Sequence, residues 1–239
     1  MIGEMKLIPD EPGHIGTDES GKGDFFGPLV TAAFFLPEGQ GPVLTGLGVR
    51  DCKKISDNRV RQLSLTLRKA YPYHSVVVVG PEKYNELYAR LRNLNRLLAW
   101  AHARAIENIL ERIPVGRAVT DRFGDERFVR NALLKQGRDI ELVQMPRAEE
   151  DAAVAAASVL ARAGFLERLE RLSSEIGVEL PKGASREVEA VALRLVIDRG
   201  EQILNRIAKT HFKTAARVLE LAGSSQLKAG TPGPDGSTK

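Results

Sequence analysis

Two acidic stretches and one isolated acid carry the chemistry this chain could perform. Asp18 and Glu19 stand next to each other in HIGTDESGKGDFFGP (14–28). The segment Gly16–Lys22 satisfies the first seven places of the phosphate loop G-x-x-x-x-G-K-[ST], but Gly23 stands where a Ser or Thr hydroxyl is needed. Two carboxylates inside such a loop would also be aimed at the anion it should cradle. They become useful instead if a divalent cation lies between them and a phosphate. Asp121 closes the stretch RAVTD (117–121), and Glu149, Glu150 and Asp151 lie in RAEED (147–151). A donor set of carboxylate oxygens without His or Cys suits Mg²⁺ or Mn²⁺ rather than zinc. Two such ions held by shared carboxylates can activate a water and stabilise the leaving oxygen in phosphodiester cleavage.

Each acid also has a plainer explanation. An Asp at a strand end is commonly a turn or cap residue, and acids ahead of a helix complement its macrodipole. Convergence favours chemistry, because three separate segments deliver acids to what should be one edge of one sheet. Carboxylates crowded there without a cation would repel one another. The four histidines, at 14, 74, 102 and 211, lack metal-ligand spacing, and His211 in KTHFKT reads on these grounds as a helix-face residue.

The elements that must position these residues follow from the apolar pattern. Strands are expected at 14–18, 29–36, 74–80, 117–121 and 139–145, the second and third as continuous β-branched or apolar runs. Helices are expected from a Ser56 or Asp57 cap to about Ala70, over 95–112 and over 125–136, with 38–48 as a loop. After Pro146 the chain reads as wholly helical: 152–176, 185–199 behind a Ser185 cap, and 201–221. This predicts an α/β fold, a five-stranded mixed sheet flanked by helices with a helical C-terminal extension. Residues 1–13 form a short N-terminal segment, 14–221 the domain, and 222–239 a tail expected to be disordered. Neighbouring residues of a strand point to opposite faces, so Asp18 and Glu19 diverge unless the strand end lets both approach one edge. Parallel neighbouring strands would set Asp18 beside Asp121.

The 239 residues, 43% hydrophobic, suffice for one large domain. No apolar run approaches the ~20 residues of a membrane span, and the N-terminus lacks a signal-peptide layout. The single Cys52 excludes an internal disulfide and a Cys-rich zinc site. A cytoplasmic protein is expected, with no membrane partner. The net charge of +4 is compatible with a polyanionic partner without demanding one.

With the acids, glycines and strand order assembled, the chain resembles the type 2 ribonucleases H. GTDESGKGDFFGPLV is similar to that family's first motif, and VRDCKKISD (49–57) to its D-S-K-x-L segment with Cys52 in place of Ser. AVTD resembles the strand of the third acid, and RAEEDAAVAAASVLAR the segment of the fourth acid and its helix. Gly-Lys-Gly before DFFGPL, EKYNELY with NLNRLLAWAHARAI, and LPKGA (180–184) resemble ribonuclease HIII more than HII.

The resemblance implies a ribonuclease H-like fold and cleavage of the RNA strand of RNA–DNA hybrids to 5′-phosphate and 3′-hydroxyl ends, and a monomer is expected. It implies that Asp18, Glu19 and Asp121 hold the metals. The fourth acid matches at Glu149, with Glu150 and Asp151 open as alternates. Gly21, Lys22 and Gly23 would read ribose 2′-hydroxyls, while Lys53, Lys182 and His211 would contact substrate. HIII proteins typically carry an N-terminal substrate-binding domain, and about a dozen residues precede the core here, so weak substrate binding is expected. Ribonuclease HII-like incision at single ribonucleotides in duplex DNA, a P-loop nucleotide hydrolase and a non-catalytic nucleic-acid-binding module are the competing readings.

Overall fold

The sheet is built around β1 (Gly13–Ser20), which pairs antiparallel with β2 (Leu29–Pro37) and parallel with β4 (Arg117–Asp121). β3 (His74–Val79) flanks β2 and β5 (Glu141–Met145) flanks β4, giving the order β3-β2-β1-β4-β5. These coordinates are a computed structural model, which describes residues 12–49, 55–121, 126–133, 137 and 139–229. β2 is buried along its whole length, as its unbroken apolar run requires of a strand covered on both faces.

Helices cover both sides. On one face lie α2 (Asp57–Ala70) and α6 (Ala152–Ile176), packed on Val30, Ala32 and Phe34. α4 (Leu94–Leu110) and α5 (Glu126–Ala132) cover the other over Ile15, Ala33, Phe35 and Ala118. The alanine-rich N-terminal half of α6 lets it approach β1 closely. A Cβ on Gly16 would fall 2.2 Å from the backbone of Ala153 and Val154, so only glycine fits there. The C-terminal extension, α7 (Arg186–Arg199), α8 (Ile203–Ile207) and α9 (Lys213–Ala229), joins the α6 side of the core through Leu195, Leu204 and Val218.

Several expectations change. Residues 38–48 include a short helix, α1 (Gly41–Gly46), and α3 (Pro81–Leu91) precedes α4, capped at Gly80 with Pro81 at its first position. The helix expected over 201–221 is two helices. Ala208 is extended and bridges to Phe26, and Lys209 N–H donates to the Phe25 carbonyl at 2.9 Å. His211 therefore lies in the turn between α8 and α9, not on a helix. α9 also runs eight residues past the expected tail boundary, to Ala229.

Candidate active site

The β1–β4 ladder has Thr17 opposite Thr120 as its last pair. β1 continues alongside β2 to Ser20, whereas β4 stays with β5 to Asp121. The two strands part just where the acids begin, and a cleft of about 610 Å³ opens there. Asp18, Glu19, Gly21, Lys22, Gly23, Asp121 and Lys182 all line it.

The faces of the strands sort the carboxylates. Gly16 abuts α6, and Val119 packs with Ala148 and Val154, so alternation puts Asp18 and Asp121 together on the α6 side. Glu19 turns to the α4 side. There its Oε2 meets His102 Nε2 at 3.1 Å, while Lys22 Nζ donates to its Oε1 at 3.2 Å. Burial alone would raise the Glu19 carboxyl, but the hydrogen bond and charge of His102, followed by Lys22, bring it down to about 2.

Among the described residues no three His, Cys, Asp or Glu side chains are gathered closely enough to hold an ion. The donors nonetheless fit a hard divalent cation in type and placement. Asp18, Glu19 and Asp121 line one cleft, and the Lys22 ammonium already supplies positive charge at Glu19 Oε1, where a metal could take its place.

The glycine turn forms the cleft's rim and is held from outside the sheet. Gly21 has φ +88°, and a Cβ there would meet the Pro28 carbonyl oxygen at 2.2 Å. Asp24 Oδ1 accepts the Gly183 N–H at 2.7 Å, and Phe25 N–H donates to the Gly183 carbonyl at 2.8 Å. Lys209, fully buried, donates through Nζ to the carbonyls of Asp24 and Gly27, both at 2.8 Å, and of Phe26 at 3.4 Å. Burial pushes its ammonium down to about 7, opposed by the nearby charge of Asp24. Asp57 accepts from Arg162 at 2.6 Å and pairs with Lys182, both of which line the cleft.

Other sequence candidates lie elsewhere. Asp151 caps α6, accepting from Ala153 and Val154 N–H at 2.9 and 3.1 Å, and pairs with His14 at the start of β1. It and Glu150 line a separate cleft at that end of the strand, with Pro12, Glu38 and Arg117. The short turn 147–151 runs back along the sheet before α6 begins, which carries both acids away from Asp18. Glu149 lies on the 3-10 turn Ala148–Glu150, and its side chain is outside the described set. Lys53 also lies outside the described residues. The His211 ring stacks on Tyr88 and Tyr84, with centroids 4.2 and 5.5 Å away, and does not reach the cleft lining.

Sequence reasoning did not name His102, Asp57, Arg162 or Lys209 as site residues. For His102 a signal existed, since it occupies the i+4 position between Leu98 and Ile106 in an otherwise apolar stripe.

The profile of the family described as Ribonuclease HII matches residues 15–215. The ribonuclease HIII of Protochlamydia amoebophila (strain UWE25) is 45% identical over 210 residues, covering 88% of this chain and 69% of the relative. The chain belongs to the type 2 ribonuclease H family. Solved structures of family members agree. Bst-RNase HIII in complex with Mn²⁺ superposes with TM-score 0.82 at 32% identity, covering 90% of this chain and 72% of that one. Aquifex aeolicus RNase H3 gives 0.68 at 33% identity, over 87% and 74%. As a type 2 ribonuclease H the protein is a hydrolase, an endoribonuclease whose five-stranded mixed sheet and C-terminal helices are those of its HIII relatives.

Proposed function

We propose that the protein cleaves the RNA strand of RNA–DNA hybrids at the cleft between β1 and β4, using Mg²⁺ or Mn²⁺ and leaving 5′-phosphate and 3′-hydroxyl ends. One observation carries this reading. Asp18 and Asp121 share a face where their strands part, and Glu19 and the Gly21–Gly23 turn line the same cleft. The Mn²⁺ of the Bst-RNase HIII complex supports the choice of ion.

Asp18, Glu19 and Asp121 are the residues that would hold the metal, with Glu149 following them in sequence as the fourth acid. When bound, the two ions lower the barrier to in-line attack by water and offset charge on the leaving oxygen. The chain's own groups do the rest. Gly21, Lys22 and Gly23 offer backbone polar groups, and the exposed Gly23 lets a ribose 2′-hydroxyl approach without a Cβ in the way. Lys22 can exchange its contact with Glu19 for a substrate phosphate. Lys182 and Arg162, steadied by Asp57, bring positive charge to the same cleft.

The test is cleavage of a uniform hybrid, a duplex with one ribonucleotide and an all-DNA duplex, each with Mg²⁺, Mn²⁺ or EDTA. Hybrid should be cut with either ion and not with EDTA, runs of ribonucleotides faster than a single one, and DNA negligibly. Equal or better incision at the single ribonucleotide would favour an HII-like activity. Failure to cut hybrid with either ion would overturn the reading.

A further inference from the structure

His102 is fully buried on α4, and both of its ring nitrogens are engaged. Nδ1 lies 2.8 Å from Thr17 Oγ1 and 3.4 Å from Thr120 Oγ1, while Nε2 lies 3.1 Å from Glu19 Oε2. Both threonines are themselves fully buried. They are also the last paired residues of the β1–β4 ladder, each immediately before an acid of the cleft. One imidazole therefore joins α4, β1 and β4 at the point where the two strands part.

A carboxylate can only accept, so Nε2–H donates to Glu19 Oε2, while Nδ1 pairs with the Thr17 hydroxyl on the far side of the ring. His102 is fully buried, where a ring nitrogen left unpaired is costly. The consequence for Glu19 is directional. Oε2 is tied back to the core, so Oε1, now facing Lys22, is the oxygen left to reach into the cleft.

We propose that His102 is a positioning residue, held by Thr17 and acting through Glu19, that sets which carboxylate oxygen Glu19 offers to a divalent cation. This rests on the reading of the cleft given above. Hydrogen-bonded partners of a metal-holding group commonly change metal affinity or activity by about 10–100-fold, and His102→Leu should fall in that range.

The experiment compares wild type, His102→Leu, His102→Gln, Thr17→Val and Glu19→Gln. It measures thermal melting, Mn²⁺ binding by calorimetry without nucleic acid, and kcat and KM on hybrid. His102→Leu should weaken Mn²⁺ binding and lower kcat with little change in KM for hybrid. His102→Gln, whose amide keeps a donor, should recover part of both, and Thr17→Val should show a smaller loss of the same kind. Combined with Glu19→Gln, His102→Leu should add no further loss of Mn²⁺ affinity, because the residue acts through Glu19. If His102→Leu does not fold, Thr17→Val and His102→Gln carry the test. Wild-type-like Mn²⁺ binding in the folded variants, or losses that add fully to Glu19→Gln, would overturn the inference while leaving hybrid cleavage intact. A wild type that neither binds Mn²⁺ nor cuts hybrid would instead remove the functional reading, and this inference with it.

Discussion

Asp18 and Asp121 each lie one residue beyond the last paired position of the β1–β4 ladder, where Thr17 stands opposite Thr120. Parallel register gives both acids the same facing, and the parting of the strands exposes them to one cleft. Asp18→Asn or Asp121→Asn keeps the shape of the side chain but removes the charge that would hold a cation. Loss of metal assistance on the order of 4 kcal/mol corresponds to roughly a 10³-fold drop in cleavage. Melting temperature without metal should be unchanged or raised, since like charge is removed from a crowded edge. Near-wild-type turnover in either variant would remove these acids from the metal site.

Asp151 gives the opposite expectation, although it lies in the acidic run that follows β5. Its carboxylate caps α6 and pairs with His14 at the far end of β1 from the cleft. Asp151→Ala should cost about 1 kcal/mol or more for the lost cap, with hybrid cleavage per folded molecule unchanged. The pH dependence has a definite sign. Burial alone would raise this carboxyl, but His14 and the Val154 and Ala153 amides hold it below its ordinary 3.8. A depressed acid stabilises the fold above its unfolded value, and that contribution is lost as pH falls from 3.8 toward the folded value. Melting curves between pH 5 and 2 should show a shallower acid loss in the variant than in wild type. A loss of cleavage out of proportion to stability would return Asp151 to the active site.

β2 and β3 were legible because they are apolar or β-branched runs, the first bounded by Pro28 and Pro37 and the second ended by Gly80. The Ser56 and Ser185 caps were legible for the same local reason, and both accept a backbone N–H where expected. The break between α8 and α9 was not legible. It depends on Ala208 bridging Phe26, a pairing set by the fold and invisible to helical periodicity. Acid type alone marked Asp18, Glu19 and Asp121. It could not separate Asp151, whose neighbours in sequence look much like an active-site motif and whose neighbours in space are a helix cap and His14. His102 was hidden by its own helix, since a single His on an apolar stripe is usually read as packing.

Lys209 ties the extension to the glycine turn through three carbonyl oxygens. Lys209→Met should leave those carbonyls short of donors, each at about 1–3 kcal/mol where no water reaches, and loosen the turn. Its titration also marks wild type. The folded value is about 7 against an ordinary 10.5, so between these the unfolded chain binds more protons. Stability should therefore rise with pH over that window, in wild type more than in the variant. Equal slopes between pH 7 and 9 would mean that Lys209 keeps its ordinary protonation in the fold.

Gly21 and Gly23 separate the shape of the turn from its recognition. Gly21 has φ +88° and no room for a Cβ, whereas a Cβ on Gly23 would meet nothing within 4 Å. Gly21→Ala should consequently strain the turn and lower stability as well as cleavage. Gly23→Ala should melt like wild type, because the added methyl points into open space. That space is where the proposed ribose 2′-hydroxyl would approach, so the methyl should weaken hybrid cleavage while the fold is untouched. Losing one well-placed polar contact is worth about 1–3 kcal/mol, roughly tenfold or more in kcat/KM. The same variant should leave the small residual rate on all-DNA duplex unchanged, since that substrate has no 2′-hydroxyl to lose. The hybrid-to-DNA rate ratio is therefore the quantity to measure. A Gly23→Ala protein with wild-type melting and an unchanged ratio would remove the turn from ribose recognition, leaving discrimination to another part of the cleft.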